Sequence, residues 1–99
     1  MYVIREVMNC KPGKVKPLVE KFQAMAGVME KLGMSRPRLM TDISGEPYWT
    51  IVAEFEVEKL DDFFEMDDQA FADAGAAEIM EGYHDLVDHG RREIYKVED

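Results

Sequence analysis

The chain has 99 residues, 46% of them hydrophobic and 33% charged, with a net charge of −9; this is the make-up of an ordinary folded protein, expected as one domain over residues 1–99. Residues 1–50 carry eight Lys/Arg against five Asp/Glu, whereas residues 54–88 carry thirteen acids and only Lys59 in return, and so acidic a half repels nucleic-acid backbones and anionic membranes. No stretch approaches ~18 consecutive apolar residues, and the opening MYVIREVM lacks the basic start and apolar run of a secretory leader, so a cytoplasmic location is expected.

Tyr2–Asn9 alternates in a way that gives each face apolar residues and one charge, which predicts a strand buried on both sides. Cys10 stands alone, which excludes a disulfide within the chain and reads as an inert thiol. Lys11-Pro12-Gly13-Lys14 is a turn, because proline removes a donor and glycine accepts a left-handed backbone. Val15–Leu32 then repeats Val15, Leu18, Phe22, Met25, Met29 and Leu32 at spacings of three and four, the seam of a helix lying on a sheet. Pro17 fits only the first turn of that helix, and Gly33 fits its C-terminal cap.

Pro37–Ile43 and Tyr48–Val57 read as strands joined through Ser44-Gly45-Glu46-Pro47, a hairpin connection that makes the pair antiparallel. Parity in the second of these sends Trp49, Ile51, Ala53, Phe55 and Val57 toward the helices, and Tyr48, Thr50, Val52, Glu54 and Glu56 the other way. Lys59–Met66 predicts a short helix with acids in its first turn. Asp67 or Asp68 is expected to cap a second, long helix over Gln69–Val87. Gly90 closes that segment, and Arg91–Val97 alternates as a last strand able to pair beside the first.

The order β-α-β-β-α-β puts both helices on one face of a four-stranded sheet and leaves the opposite face to meet a ligand, a partner or a second copy. The first and third strands are expected to be adjacent and parallel, projecting Arg5 and Glu54 from that bare face. Such a pair either orients a polar ligand by bidentate hydrogen bonds or serves as a structural ion pair. Tyr48 and Thr50 share the face and are candidate ligand contacts. His84 and His89 are the only imidazoles available for proton transfer near neutral pH, with His89 placed to meet a helix C-terminus. The acids Asp61, Asp62, Glu65, Asp67 and Asp68 match no calcium-loop spacing, and no zinc, nucleophile-elbow, phosphate-loop or dinucleotide signature is present. The methionines read as adaptable core filler.

Length and element order together resemble the dimeric α+β barrel superfamily, whose ferredoxin-like subunits pair sheet to sheet. Within it, Tyr2-Val3-Ile4-Arg5-Glu6 followed by Lys11-Pro12-Gly13-Lys14, and the closing Gly90-Arg91-Arg92-Glu93-Ile94-Tyr95, look like the NIPSNAP group, distantly similar to antibiotic-biosynthesis monooxygenase domains. The resemblance implies a four-stranded antiparallel sheet and a homodimer. It departs from the haem-degrading branch: Asn9 answers that branch's first-strand asparagine, but Met66 and Ala76 stand where its tryptophan and histidine belong. The expected function is binding of a small, partly apolar organic molecule by a homodimer, with Arg5, Tyr48 and Thr50 as binding residues and no cofactor. In a cofactor-independent monooxygenase or isomerase of this kind, Glu54 or His84 would move a proton and Arg5 would steady negative charge. A non-catalytic dimeric assembly or ligand carrier is the alternative.

Overall fold

A computed structural model describes residues Met1–Asp99. Its elements in chain order are β1 (Tyr2–Cys10), α1 (Val15–Lys31), β2 (Arg38–Thr41), β3 (Thr50–Val57), α2 (Leu60–Ala72), α3 (Ala76–Ile79), α4 (Tyr83–Leu86) and β4 (Val87–Lys96). The sheet order is β2-β3-β1-β4, and every neighbouring pair is antiparallel. This is the α+β ferredoxin-like arrangement, as expected, but β1 and β3 run in opposite directions and not parallel. The reason lies in the connections: α1 carries the chain from β1 to β2 across one strand position, and the hairpin reverses it into the vacant place between them.

Helix α1 begins and ends where its sequence dictates. At its C-terminus the Met34 N–H donates to the Met29 carbonyl and the Gly33 N–H to Glu30, the paired bonds of a Schellman motif, with Gly33 at a left-handed φ of 83° that a Cβ would oppose. Leu18 from this helix packs with Ile51 of β3 and Cys10 of β1. Phe63 from α2 packs with Ile4 and Val57. All the helices therefore cover the face of β1 that carries Ile4, Glu6, Met8 and Cys10.

The acidic stretch folds differently from its expected pattern. Asp67 and Asp68 cap nothing, because Phe63, Met66 and Ala70 continue one apolar stripe through them and α2 runs unbroken from Leu60 to Ala72. The chain breaks instead at Asp73, whose extended backbone ends α2 and whose carboxylate accepts the Gly75 N–H at 3.1 Å. Of the expected long helix over Gln69–Val87, Gln69–Ala72 is the end of α2 and the rest forms two short segments, α3 and α4, before β4; Lys21 of α1 clips them in place by donating to the carbonyls of Ile79 and Glu81. Strand β4 starts four residues earlier than expected, at Val87, with a bulge opposite Asn9 and Cys10.

Two departures concern the loop of residues 42–49. Strand β3 begins at Thr50, so Tyr48 and Trp49 lie outside it, and Trp49 takes a left-handed φ of 68° and stays 43% exposed instead of joining the helix-covered core. The loop also covers part of the supposedly bare face. Val52, Val7 and Arg91 form one row across β3, β1 and β4, and Glu46 of the loop reaches the far end of that row to pair with Arg91 at 2.9 Å. Val7 and Val52 in that row are both buried. Only the half of the face around Val3, Arg5 and Tyr95 is open.

Candidate functional site

Between the sheet and its helices lies a cavity of about 440 Å³, and fourteen of its nineteen lining residues are hydrophobic, so whatever fills it must be mostly apolar. Ala53 and Phe55 of β3 form the floor beside Leu39 of β2. Helix α1 contributes Phe22 and Met25, and α2 contributes Phe63, Met66 and Ala70. The space exists because small side chains stand where bulk is usual: Ala53 on the sheet and Ala26 and Ala70 on the helices. Met8, Met25, Met29, Met66 and Met80 place five thioethers around it, flexible groups that fill irregular gaps without fixing their shape.

Polar groups gather at one end. Glu6 interrupts the apolar series Ile4, Met8, Cys10 on the helix-covered face of β1, and Arg92 stands directly opposite it on β4. The Arg92 Nε donates to the Glu6 carboxylate, and its guanidinium lies 5.2 Å from the ring centre of Phe63 and 5.8 Å from that of Phe64, so pairing and cation–π contact together fix its direction. Tyr83 of α4 donates its hydroxyl to the Met8 sulfur at 3.1 Å. Burial raises the Tyr83 pKa, with Glu6 and Cys10 adding to it, and the phenol therefore remains a donor at neutral pH. His84 follows edge-on, its ring 5.3 Å from that of Tyr83. Glu6, Met8, Tyr83, His84 and Arg92 line both the cavity and a shallow groove that continues along β4. They mark its mouth.

Asp67 of α2 also lines the cavity. Burial raises its pKa, Arg92 opposes that rise and Asp68 reinforces it. Gly90 shapes the opening from below: a Cβ there would stand 2.5 Å from the Met8 sulfur, so the absence of a side chain lets Met8 lie flat across β4. Cys10 is buried, and that burial, with Asp42 adding to it, pushes the thiol further from ionisation, as suits an inert packing residue. No group of three or more His, Cys, Asp or Glu side chains gathers in a way that would hold a metal ion.

The residues singled out from the sequence fall in three places. His84 is at the cavity mouth. Arg5 and Glu54 meet on the opposite face of the sheet, as neighbours across β1 and β3 with 3.7 Å between Nε and the carboxylate. They belong to an alternating row in which Arg38, Glu54, Arg5 and Glu93 succeed one another from β2 to β4, and the Arg5–Glu93 contact is closer, at 2.9 Å. Thr50 is 1% exposed and engaged twice, accepting from Asn9 at 2.9 Å and donating to the Pro47 carbonyl at 2.6 Å; it anchors the loop. Tyr48 is 82% exposed in that loop. The sheet itself separates His84 from Glu54, so the two cannot act on one molecule within one chain. Sequence reasoning does not single out Glu6, Asp67, Tyr83 and Arg92 as a group, although one signal is available: Glu6 shares its parity with Ile4 and Met8, and a charge amid a covered apolar face needs a partner.

No protein-family model matches the sequence, and no curated protein matches it either. Solved structures do. A NIPSNAP family protein of unknown function from Agrobacterium tumefaciens superposes with a TM-score of 0.81 at 18% identity, over 98% of this chain and 87% of that one. An uncharacterized NIPSNAP domain protein from Burkholderia xenovorans gives 0.78 at 16% identity, over 98% and 94%. SnoaB, a cofactor-independent oxygenase from Streptomyces nogalater, gives 0.63 at 11% identity, over 99% and 93%. The chain is thus similar in fold to NIPSNAP proteins and to a cofactor-independent oxygenase.

Proposed function

We propose that this protein is a cytoplasmic homodimer that binds a small, partly apolar organic molecule in the cavity between its sheet and helices. One observation carries the reading: a space of about 440 Å³ lined mostly by apolar side chains, with a few polar groups, most of them at its mouth, the form of a site that buries a ring system and orients one end of it. The likeness to SnoaB supports a cofactor-independent oxygenase or isomerase as the kind of chemistry. In that chemistry His84 takes or returns a proton at the mouth, and the Arg92 guanidinium, held by Glu6, steadies negative charge as it develops. The open half of the other sheet face, with Arg5 and Glu54 near its middle, is assigned to the second copy.

A neutral fluorescent probe such as N-phenyl-1-naphthylamine tests the cavity. Saturable binding with one probe per chain is expected, and Ala53→Trp, which fills the floor, should abolish it. Ala70→Leu, a milder filling, should weaken binding while leaving the far-ultraviolet circular dichroism unchanged. Absence of saturation in the parent protein, or equal binding by both filled variants, would refute the assignment. Light scattering should report about twice the 11.4 kDa chain mass; a stable monomer at micromolar concentration would remove the homodimer.

A further inference from the structure

Charge at the cavity is not balanced. Among its lining residues Arg92 is the only lysine or arginine, against two carboxylates, Glu6 and Asp67. Glu6 takes Arg92 for itself through the Nε contact. Asp67 makes no hydrogen bond and no ion pair with any side chain, and its half-buried carboxylate adjoins a space walled by the rings of Phe22, Phe55, Phe63, Phe71 and Tyr83. An acid with no cation in contact, lining one cavity with five aromatic rings, is suited to an ammonium group: the carboxylate supplies the counter-charge, and a ring face can add a cation–π contact.

Building on the cavity assignment above, we infer that the ligand is an amphipathic amine, whose protonated nitrogen sits at Asp67 while its apolar body occupies the space between Phe22, Phe55 and the methionines. The surrounding field points the same way. Helix α2 itself carries Asp61, Asp62, Glu65, Asp67 and Asp68 and no lysine or arginine, a distribution that concentrates cations near it and repels carboxylates. Burial raises the Asp67 pKa and Asp68 adds to it, against the opposing charge of Arg92. Arg92 opposes Asp67's rise without pairing with it: its Nε donates to Glu6, and its guanidinium lies over the Phe63 and Phe64 rings.

Three probes with one apolar body separate the possibilities at neutral pH: 1-naphthylmethylamine, 1-naphthalenemethanol and 1-naphthoate. The amine should bind about ten-fold or more tightly than the alcohol, the worth of one partly desolvated charge contact, and the carboxylate should bind weakest. Asp67→Asn should erase most of the amine's advantage and leave the alcohol unchanged. The same variant should melt at a higher temperature than the parent, because it removes a half-buried charge with no partner in contact, so lost amine binding cannot be ascribed to a damaged fold. A carboxylate that binds tightest, three affinities within two-fold, or an amine-to-alcohol ratio unaltered by Asp67→Asn would each overturn the inference while leaving the cavity assignment standing. Failure of all three probes to saturate would bring down both.

Discussion

Replacing Gly90 by alanine is the sharpest test of how the cavity mouth is built. The added methyl would lie 2.5 Å from the Met8 sulfur and 3.1 Å from the Val7 carbonyl oxygen. Since ordinary contacts between such atoms run to about 3.5–4.0 Å, the thioether must withdraw by roughly 1 Å, and in doing so it gives up the 3.1 Å contact with the Tyr83 hydroxyl. The Val7 oxygen belongs to the sheet and has little freedom to follow. Overpacking of this sort costs about 1–3 kcal/mol, and the gain from removing a glycine within a strand returns roughly 0.5–1 kcal/mol, leaving a net loss between about 0 and 2.5 kcal/mol by subtraction. Gly27 supplies the control. It lies on the exposed side of α1, where an added methyl would meet nothing within 4 Å, so Gly27→Ala should raise stability by about 0.5–1 kcal/mol. Urea denaturation would read both, with unchanged slopes and midpoints moving in opposite directions. In a Met8→Ala background the Gly90→Ala penalty should fall by more than half, because the first obstacle is gone. A Gly90→Ala protein as stable as Gly27→Ala would show that Met8 does not lie where described.

Two further outcomes follow from the core and the open face. Leu18 is fully buried between α1 and the sheet, and Leu18→Ala should cost about 3 kcal/mol in the same denaturation experiment; a loss below about 1 kcal/mol would mean that α1 is not seated on Ile51 and Cys10 as described. The Glu93 pKa is lowered chiefly by the Arg91 hydrogen bond, against the effect of burial and with help from Tyr95 and Arg5. A depressed carboxylate contributes stability that is complete above its ordinary value of 4.5 and is lost as pH falls through the lower folded value. Melting temperatures of Glu93→Gln should therefore decline less steeply than the parent's below that point. Parallel acid limbs would exclude Glu93 as a contributor.

Much of this architecture is legible in the residues. The apolar seam of α1, its Gly33 terminus and the alternation from Thr50 to Val57 each specify their element locally, and the element order then specifies the sheet. What is not legible depends on competition between local and distant contacts. The Asp67-Asp68 pair has the appearance of a helix start, yet the stripe of Phe63, Met66 and Ala70 passes through it, and burial of that stripe outweighs the preference of aspartate for a cap. Trp49 has the right parity for the core but sits where the loop turns onto β3, and a left-handed backbone there breaks the alternation on which parity depends. The candidate site is the least legible part. Arg5 with Glu54 is a conspicuous pair and does form, but the cavity lies behind the sheet, where Glu6 and Arg92 meet only because β4 pairs with β1 across 86 residues of chain.

Five methionines around the cavity bear on what such a site can discriminate. An unbranched thioether turns about three bonds with little preference among them, so the walls yield to the outline of a guest, and a molecule longer or flatter than another is accommodated by rotation at small cost. Tolerance of contour shifts the burden of selectivity onto the groups that cannot rearrange, namely the acid on α2 and the paired charges across β1 and β4. On the proposed binding, a cavity lined this way would sort guests by the sign and position of one polar atom and admit a wide family of carbon skeletons behind it.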